Sequence, residues 1–225
     1  MAQRVKSRPY NSPRRREQAA ATRKQILEAA QRLFEQQGYA ATTMATIANE
    51  AGVALKTVYV VFETKSGLLR ALWHLLLRGD EASVHVRERP WYREVLEEPV
   101  PERQLHLNAR NSRVVKTRAG GLLGVIRSAA PTDPDIGALW GRIQTDFYEI
   151  QRKIVVSLHK KKALKPGLGV DRGTDILWTL NHPELWHLLV GARGWTPEEY
   201  EQWFGDAACS QLLPNRRRKK PQRTK

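Results

Sequence analysis

Between Thr42 and Lys65 the chain reads TTMATIANEAGVALKTVYVVFETK, and three side chains able to donate hydrogen bonds, Lys56, Thr57 and Tyr59, fall within four positions of it. A lysine ammonium can donate to guanine O6 or N7, and a threonine or tyrosine hydroxyl to a phosphate oxygen. Such chemistry suits a double helix of DNA, provided the three groups stand on the outward face of a short helix. Each alone also fits an ordinary helix surface. Their position just after a glycine, Gly52, gives the grouping its meaning.

The elements around them can be read from spacing. From about Arg15 to Gln37, Ile26, Ala30, Leu33 and Phe34 recur at i, i+4, i+7 and i+8, which predicts an amphipathic helix, and Gly38 stands where a left-handed C-cap belongs. Thr43 is a good N-cap for a second helix, with Met44, Ile47, Ala48 and Ala51 on one face. That helix stops at Gly52; Val53 and Ala54 complete a turn. A third helix runs from about Leu55 to Val60, with Val58 inward and Phe62 closing the unit. Two short helices joined by a glycine turn cross steeply, so the first braces the second and presents its N-terminal end to a major groove.

The run GYAATTMATIANEAGVALKTVYVVFETKSGLL, Gly38 to Leu69, closely resembles the DNA-binding domain of TetR-family transcriptional regulators. Gly38, Tyr39, Thr42, Thr43, Ile47, Ala48, Ala51, Gly52, Val53, Thr57, Val58, Tyr59, Phe62, Lys65 and Leu68 fit its pattern. The resemblance implies an all-α homodimer that binds a double-stranded DNA operator and is released by a small-molecule effector. It also implies that Thr43, Thr57, Tyr59 and Lys65 hold phosphates while Lys56 faces bases. Val60 and Val61 depart from the pattern, standing where the family commonly has an aromatic residue or histidine, and Ser66 stands where it often has an acid. One contact to DNA is thereby missing.

Charge is concentrated at the ends. Of the formal net charge of +15, residues 1–24 and 216–225 contribute 14, so the body between them is nearly neutral. Basic ends can be solubilising tails, and NRRRKKPQRTK, without apolar residues, reads as a disordered one. Arg14, Arg15 and Arg16 lead directly into the first helix and read as DNA contacts. The expected organisation is a basic disordered arm (1–14), a helix-turn-helix domain (15–65), a larger helical effector-binding and dimerisation domain (66–213) and a basic disordered tail (214–225).

Beyond Lys65 the pattern is helical throughout, with no alternating strand. Ser66 to Arg78, rich in leucine, predicts a helix buried on two sides, suited to connect the DNA-binding unit to the larger domain. Pro90, Pro99 and Pro101 predict a broken connection, followed by helices over Glu102–Arg118 and Leu122–Ala130. Asp133 and Pro134 start a long helix to about Lys162. Another covers about Asp171 to Val190, interrupted near Pro183, and Thr196, Pro197 and Glu199 form the capping box of a last one, ending near Leu213. LWTLNHPELWHLLVGARGWTPEEYEQWF also resembles the last two helices of many actinobacterial-type TetR regulators. This implies pairing with a second copy, for which Leu177, Leu180, Trp186, Leu189, Trp203 and Leu212 are the candidates. An effector cavity is implied by the same resemblance. Trp140, Ile143, Phe147 and Trp178 are read as its lining, although ordinary core would use the same residues.

Enzyme motifs are missing: there is no H-E-x-x-H or G-x-S-x-G, and GGLLG at Gly120 to Gly124 follows no strand. The six histidines show no ligand spacing, and the lone Cys209 has no partner for a disulfide or thiolate metal site. Neither a catalytic residue, a metal ligand nor a cofactor is therefore expected. A polar N-terminus and the lack of an apolar run near 18 residues predict a cytoplasmic bacterial protein with no membrane partner. Two rivals stay open: a sequence-nonspecific DNA binder driven by its basic tails, and an all-helical enzyme.

Overall fold

The structure, a computed structural model, describes residues 13–79 and 89–214; the expected arm lies mostly, and the expected tail almost wholly, outside them. The described residues are helical with no strand, and the chain divides into two compact units at Leu72.

In the first unit, α1 (Pro13–Ala41), α2 (Met44–Glu50), α3 (Leu55–Phe62) and the start of α4 (Lys65–Arg78) enclose one core. Ile26, Ala30 and Phe34 meet Ile47, Val58 and Leu68, all fully buried. Gly38 interrupts α1 with φ 79° and ψ 173°, a region that residues with a Cβ rarely adopt. The interruption lets Tyr39 fold back and stack on Phe34, ring centroids 5.8 Å apart. Thr43 caps α2 through a reciprocal box with Thr46 rather than the usual glutamate: the Thr43 hydroxyl accepts from Thr46 N–H, and Thr46 Oγ1 accepts from Thr43 N–H, each at 3.0 Å. With φ 66°, Gly52 turns the chain from α2 into α3, and Arg32 joins α1 to α2 through Glu50 at 2.9 Å.

The second unit holds the end of α4, then α5 (Pro90–Glu97), α6 (Pro101–Ala129), α7 (Pro134–Lys160), α8 (Val170–Leu180), α9 (Pro183–Trp186) and α10 (Pro197–Leu212). Its core joins Leu105 and Ala109 of α6 with Ile154 and Leu158 of α7, Leu177 of α8 and Tyr200, Phe204 and Leu212 of α10. Polar ties cross it, among them Asn108 to Gln151 at 3.2 Å and Gln104 to Ser157 at 3.1 Å.

The proline-marked connection differs from expectation. Pro90 and Pro101 each begin a helix, at the position where a missing N–H costs nothing, so α5 forms where a broken loop was predicted. The two helices expected on either side of Gly120 are one, α6. Gly120 is there for proximity rather than flexibility: a Cβ on it would sit 3.1 Å from Trp186 Nε1. The predicted interruption at Pro183 is larger than a kink, because α9 passes into a π-helical turn, His187–Ala192.

Candidate nucleic-acid interface and effector cavity

The outward face of α3 is built by elimination. Val58 and Phe62 are drawn into the core, so Lys56, Tyr59 and Val60, at i, i+3 and i+4, share the opposite face and all three are exposed. Val60 is 73% exposed, a high value for valine that no fold contact explains. At the position where the sequence pattern lacks an aromatic residue, it offers a methyl surface suited to a thymine methyl. Thr57 is half-buried at the edge of this face, and α3 carries no acid. Thr43 is exposed at the start of α2, beside the free amides of that first turn.

Arg14, Arg15 and Arg16 are exposed in the first turn of α1 with no acid beside them in that turn. Cations at a helix N-terminus oppose its dipole, so this arrangement costs stability unless an anion such as phosphate is near. Lys65 stands apart from the other expected contacts. Its ammonium donates to the carbonyls of Tyr39 and Thr42 at 2.9 and 3.0 Å and lies 4.1 Å from the Tyr39 ring centroid. It fastens the start of α4 to the turn between α1 and α2.

Residues 26–72 match the model for "Bacterial regulatory proteins, tetR family". The match identifies residues 26–72 as a TetR-type DNA-binding domain. Over 59 residues it is 48% identical to the HTH-type transcriptional regulator TtgR of Pseudomonas putida, a match covering 26% of this chain and 28% of TtgR. The similarity to curated relatives thus spans little more than a quarter of their length. NalD of Pseudomonas aeruginosa, the secondary repressor of the MexAB-OprM multidrug efflux pump, has the same fold at TM-score 0.68 and 20% identity, over 89% of this chain and all of NalD. A SmeT–triclosan complex aligns at TM-score 0.66 and 17% identity, over 87% of this chain and 93% of SmeT.

In the second unit two adjoining cavities, of 270 and 260 Å³, open between α6, α7 and α9. Trp140 lines the first, with Trp73 and Trp186; Ile143 and Phe147 line the second, with Trp73 and Leu77. Trp178 does not reach either one. It is held against Tyr148 and His182, at 6.3 and 4.9 Å between ring centroids.

Two of the expected interface residues are corrected in the same way. Leu177 and Leu212 are fully buried in the core of their own chain and have no surface left for another. Leu180, Trp186, Leu189 and Trp203 are half-buried, and Leu188 is 52% exposed beside them. The half-buried tryptophans already pack internally, Trp186 on Tyr200 and Trp203 on Trp195 and Tyr200.

The residue that sequence reasoning missed is Lys116. It is buried in α6 and lines both cavities, donating to Asn181 O at 2.7 Å, Asn181 Oδ1 at 2.8 Å and Tyr200 OH at 2.6 Å. Burial pushes its pKa well below the usual lysine range, and burial raises that of the Tyr200 phenol. A signal existed: Lys116 lies at i+7 from Ala109 and i−3 from Ala119, in the register of the buried stripe. Cys209 is half-buried, which pushes its thiol up to about 11 and leaves it unreactive. Among the described residues no cluster of His, Cys, Asp or Glu could hold a metal, and no helix is long and apolar enough to cross a membrane.

Proposed function

We propose that this chain is a sequence-specific DNA-binding transcriptional regulator, a homodimeric repressor acting in the bacterial cytoplasm and released from its operator by a small molecule. One observation carries the reading: a TetR-type helix-turn-helix whose third helix leaves Lys56, Tyr59 and Val60 together on an acid-free, exposed face. Lys56 reads a base, Tyr59, Thr57 and Thr43 hold phosphates, and Arg14, Arg15 and Arg16 follow the backbone. One helix of eight residues reads too few bases for specificity, so a second copy is required, with half-sites about 34 Å apart.

The regulatory half of the reading is supported by the tryptophan-lined cavities and by the relatives, since NalD is a repressor and SmeT is captured with triclosan. The second copy would cover Leu180, Leu188, Leu189 and the outer edges of Trp186 and Trp203. A ligand that fits the cavities of one conformation better than another shifts the two recognition helices between spacings that do and do not match consecutive grooves.

The test is selection of bound fragments from the source genome by the purified chain at near-physiological salt, alongside a Lys56→Ala, Tyr59→Ala double variant. Recovery of one or a few palindromic sites by the wild type alone supports the proposal. Recovery of random fragments by both assigns binding to the basic tails, and deleting residues 1–13 and 216–225 would then abolish it.

A further inference from the structure

The two cavities share a wall made of Trp73, Val115, Lys116, Leu123 and Pro183. Most of that wall and of the surrounding surface is aromatic or aliphatic, which suits a flat apolar body. Lys116 is the exception. Its three hydrogens go to a carbonyl, an amide oxygen and a phenol, all neutral, and its ammonium lies 4.6 Å from the Tyr200 ring centroid. Among the described residues no carboxylate touches it. Hydrogen bonds to neutral oxygens orient a buried cation without cancelling its charge, and a charge buried without a counterion is costly.

The other charged groups of the two walls do not supply that counterion. Glu184 is paired with Arg127, and Asp146 has a partner of its own. Among the described residues, His74, Arg78 and His187 complete the charged and titratable lining, and none is an acid. Among the described residues the lining therefore holds Lys116, Arg127 and Arg78 against two carboxylates. Coulomb attraction beside the protein interior is stronger than in bulk water, so an entering carboxylate gains there, an alcohol gains only packing, and an amine meets a like charge.

We propose that the Lys116 cavities select an organic monoanion, an aromatic carboxylate whose ring lies among Trp73, Trp140 and Trp186 and whose charge is met by Lys116. The inference rests on the effector reading above and names the ligand class for it. The test uses the full chain and three probes with one ring system and three charges: naphthylacetate, naphthylethanol and naphthylethylamine, with the phenylbutyrate, phenylbutanol and phenylbutylamine series as a second body. Dissociation constants are measured by calorimetry at neutral pH.

In at least one series, the acid is expected to bind about tenfold or more tighter than the alcohol and the amine weakest, with the acid-to-alcohol ratio falling to near one in Lys116→Met. Equal binding of acid and alcohol by the wild type, or tighter binding of the alcohol, overturns the charge assignment while leaving an effector cavity in place. That comparison needs no variant, so it stands even if Lys116→Met does not fold. Failure of every probe in both series overturns the charge assignment and the effector reading together.

Discussion

Lys65 and Lys116 sit in different units and look alike: each places its ammonium over a tyrosine ring, 4.1 Å from Tyr39 and 4.6 Å from Tyr200, and each donates to main-chain carbonyl oxygen. They differ in access to water. Lys65 is half-buried at the edge of a small unit, where solvent still screens its charge while the hydrogen bonds close the corner between α1 and α2. Lys116 is buried beside two cavities, where bonds to neutral oxygens orient a charge that they do not cancel. The comparison teaches that identical local geometry can be a fastener in one place and a latent recognition group in another, and that burial decides which.

The widest expected gap comes from one substitution made at both positions. Lys65→Met removes the bonds to the Tyr39 and Thr42 carbonyls and the contact with the Tyr39 ring, and should cost the first unit about 2 kcal/mol, read by denaturant titration or amide exchange in α1 to α3. Lys116→Met removes a buried charge without shrinking the side chain but also takes the donor from Asn181 O, so the two effects oppose and the net change at pH 7 should stay within about 1 kcal/mol. Equal losses at both sites would break the comparison.

Its pH dependence sharpens the contrast. The folded state holds the Lys116 proton less tightly than the unfolded chain, whose lysine titrates near 10.5. Between the lowered folded value and 10.5 the unfolded state therefore binds more protons, and stability contributed by Lys116 rises with pH. Tyr200 acts oppositely above its ordinary value of 10, because its phenol stays protonated in the fold. The rise should accordingly be read below pH 10, and Lys116→Met should flatten it.

Smaller effects are expected on the DNA side. Thr43→Ala removes the cap shared with Thr46 and should cost about 1 kcal/mol of stability. Lys56→Met should change stability by less than about 0.5 kcal/mol. Its effect belongs in binding, where it should relax base preference at one position by about 1–3 kcal/mol in a competition assay with single-base operator variants. A specificity change from Tyr59→Phe, in place of a uniform loss, would count against a phosphate role for that hydroxyl.

The first unit was legible because its instructions are local. Gly38, Thr43 and Gly52 sit at the breaks themselves, and the apolar spacing of α1 and α2 points to a single core. The second unit was read less well where tertiary contacts override local signals. Gly120 looks like a helix break until Trp186 is packed against it, and Pro90 and Pro101 look like breaks until helices begin on them. Periodicity placed Leu177 and Leu212 on apolar faces but could not say whether the neighbour belonged to the same chain. The register of Lys116 with the buried stripe was passed over for a related reason: long cationic side chains usually escape to solvent, and Asn181 and Tyr200, packed over it, close that route.

α2 and α3 have seven and eight residues, too few to persist as helices on their own in water. The face that carries Lys56, Tyr59 and Val60 is therefore a collective property of the first unit and would melt together with Ile26, Phe34 and Ile47. Heat that loosens this core erases the reading surface cooperatively. DNA, binding only the assembled form, should in turn raise the midpoint of its thermal transition, so that under the proposed function DNA binding is sensitive to temperature with no ligand involved.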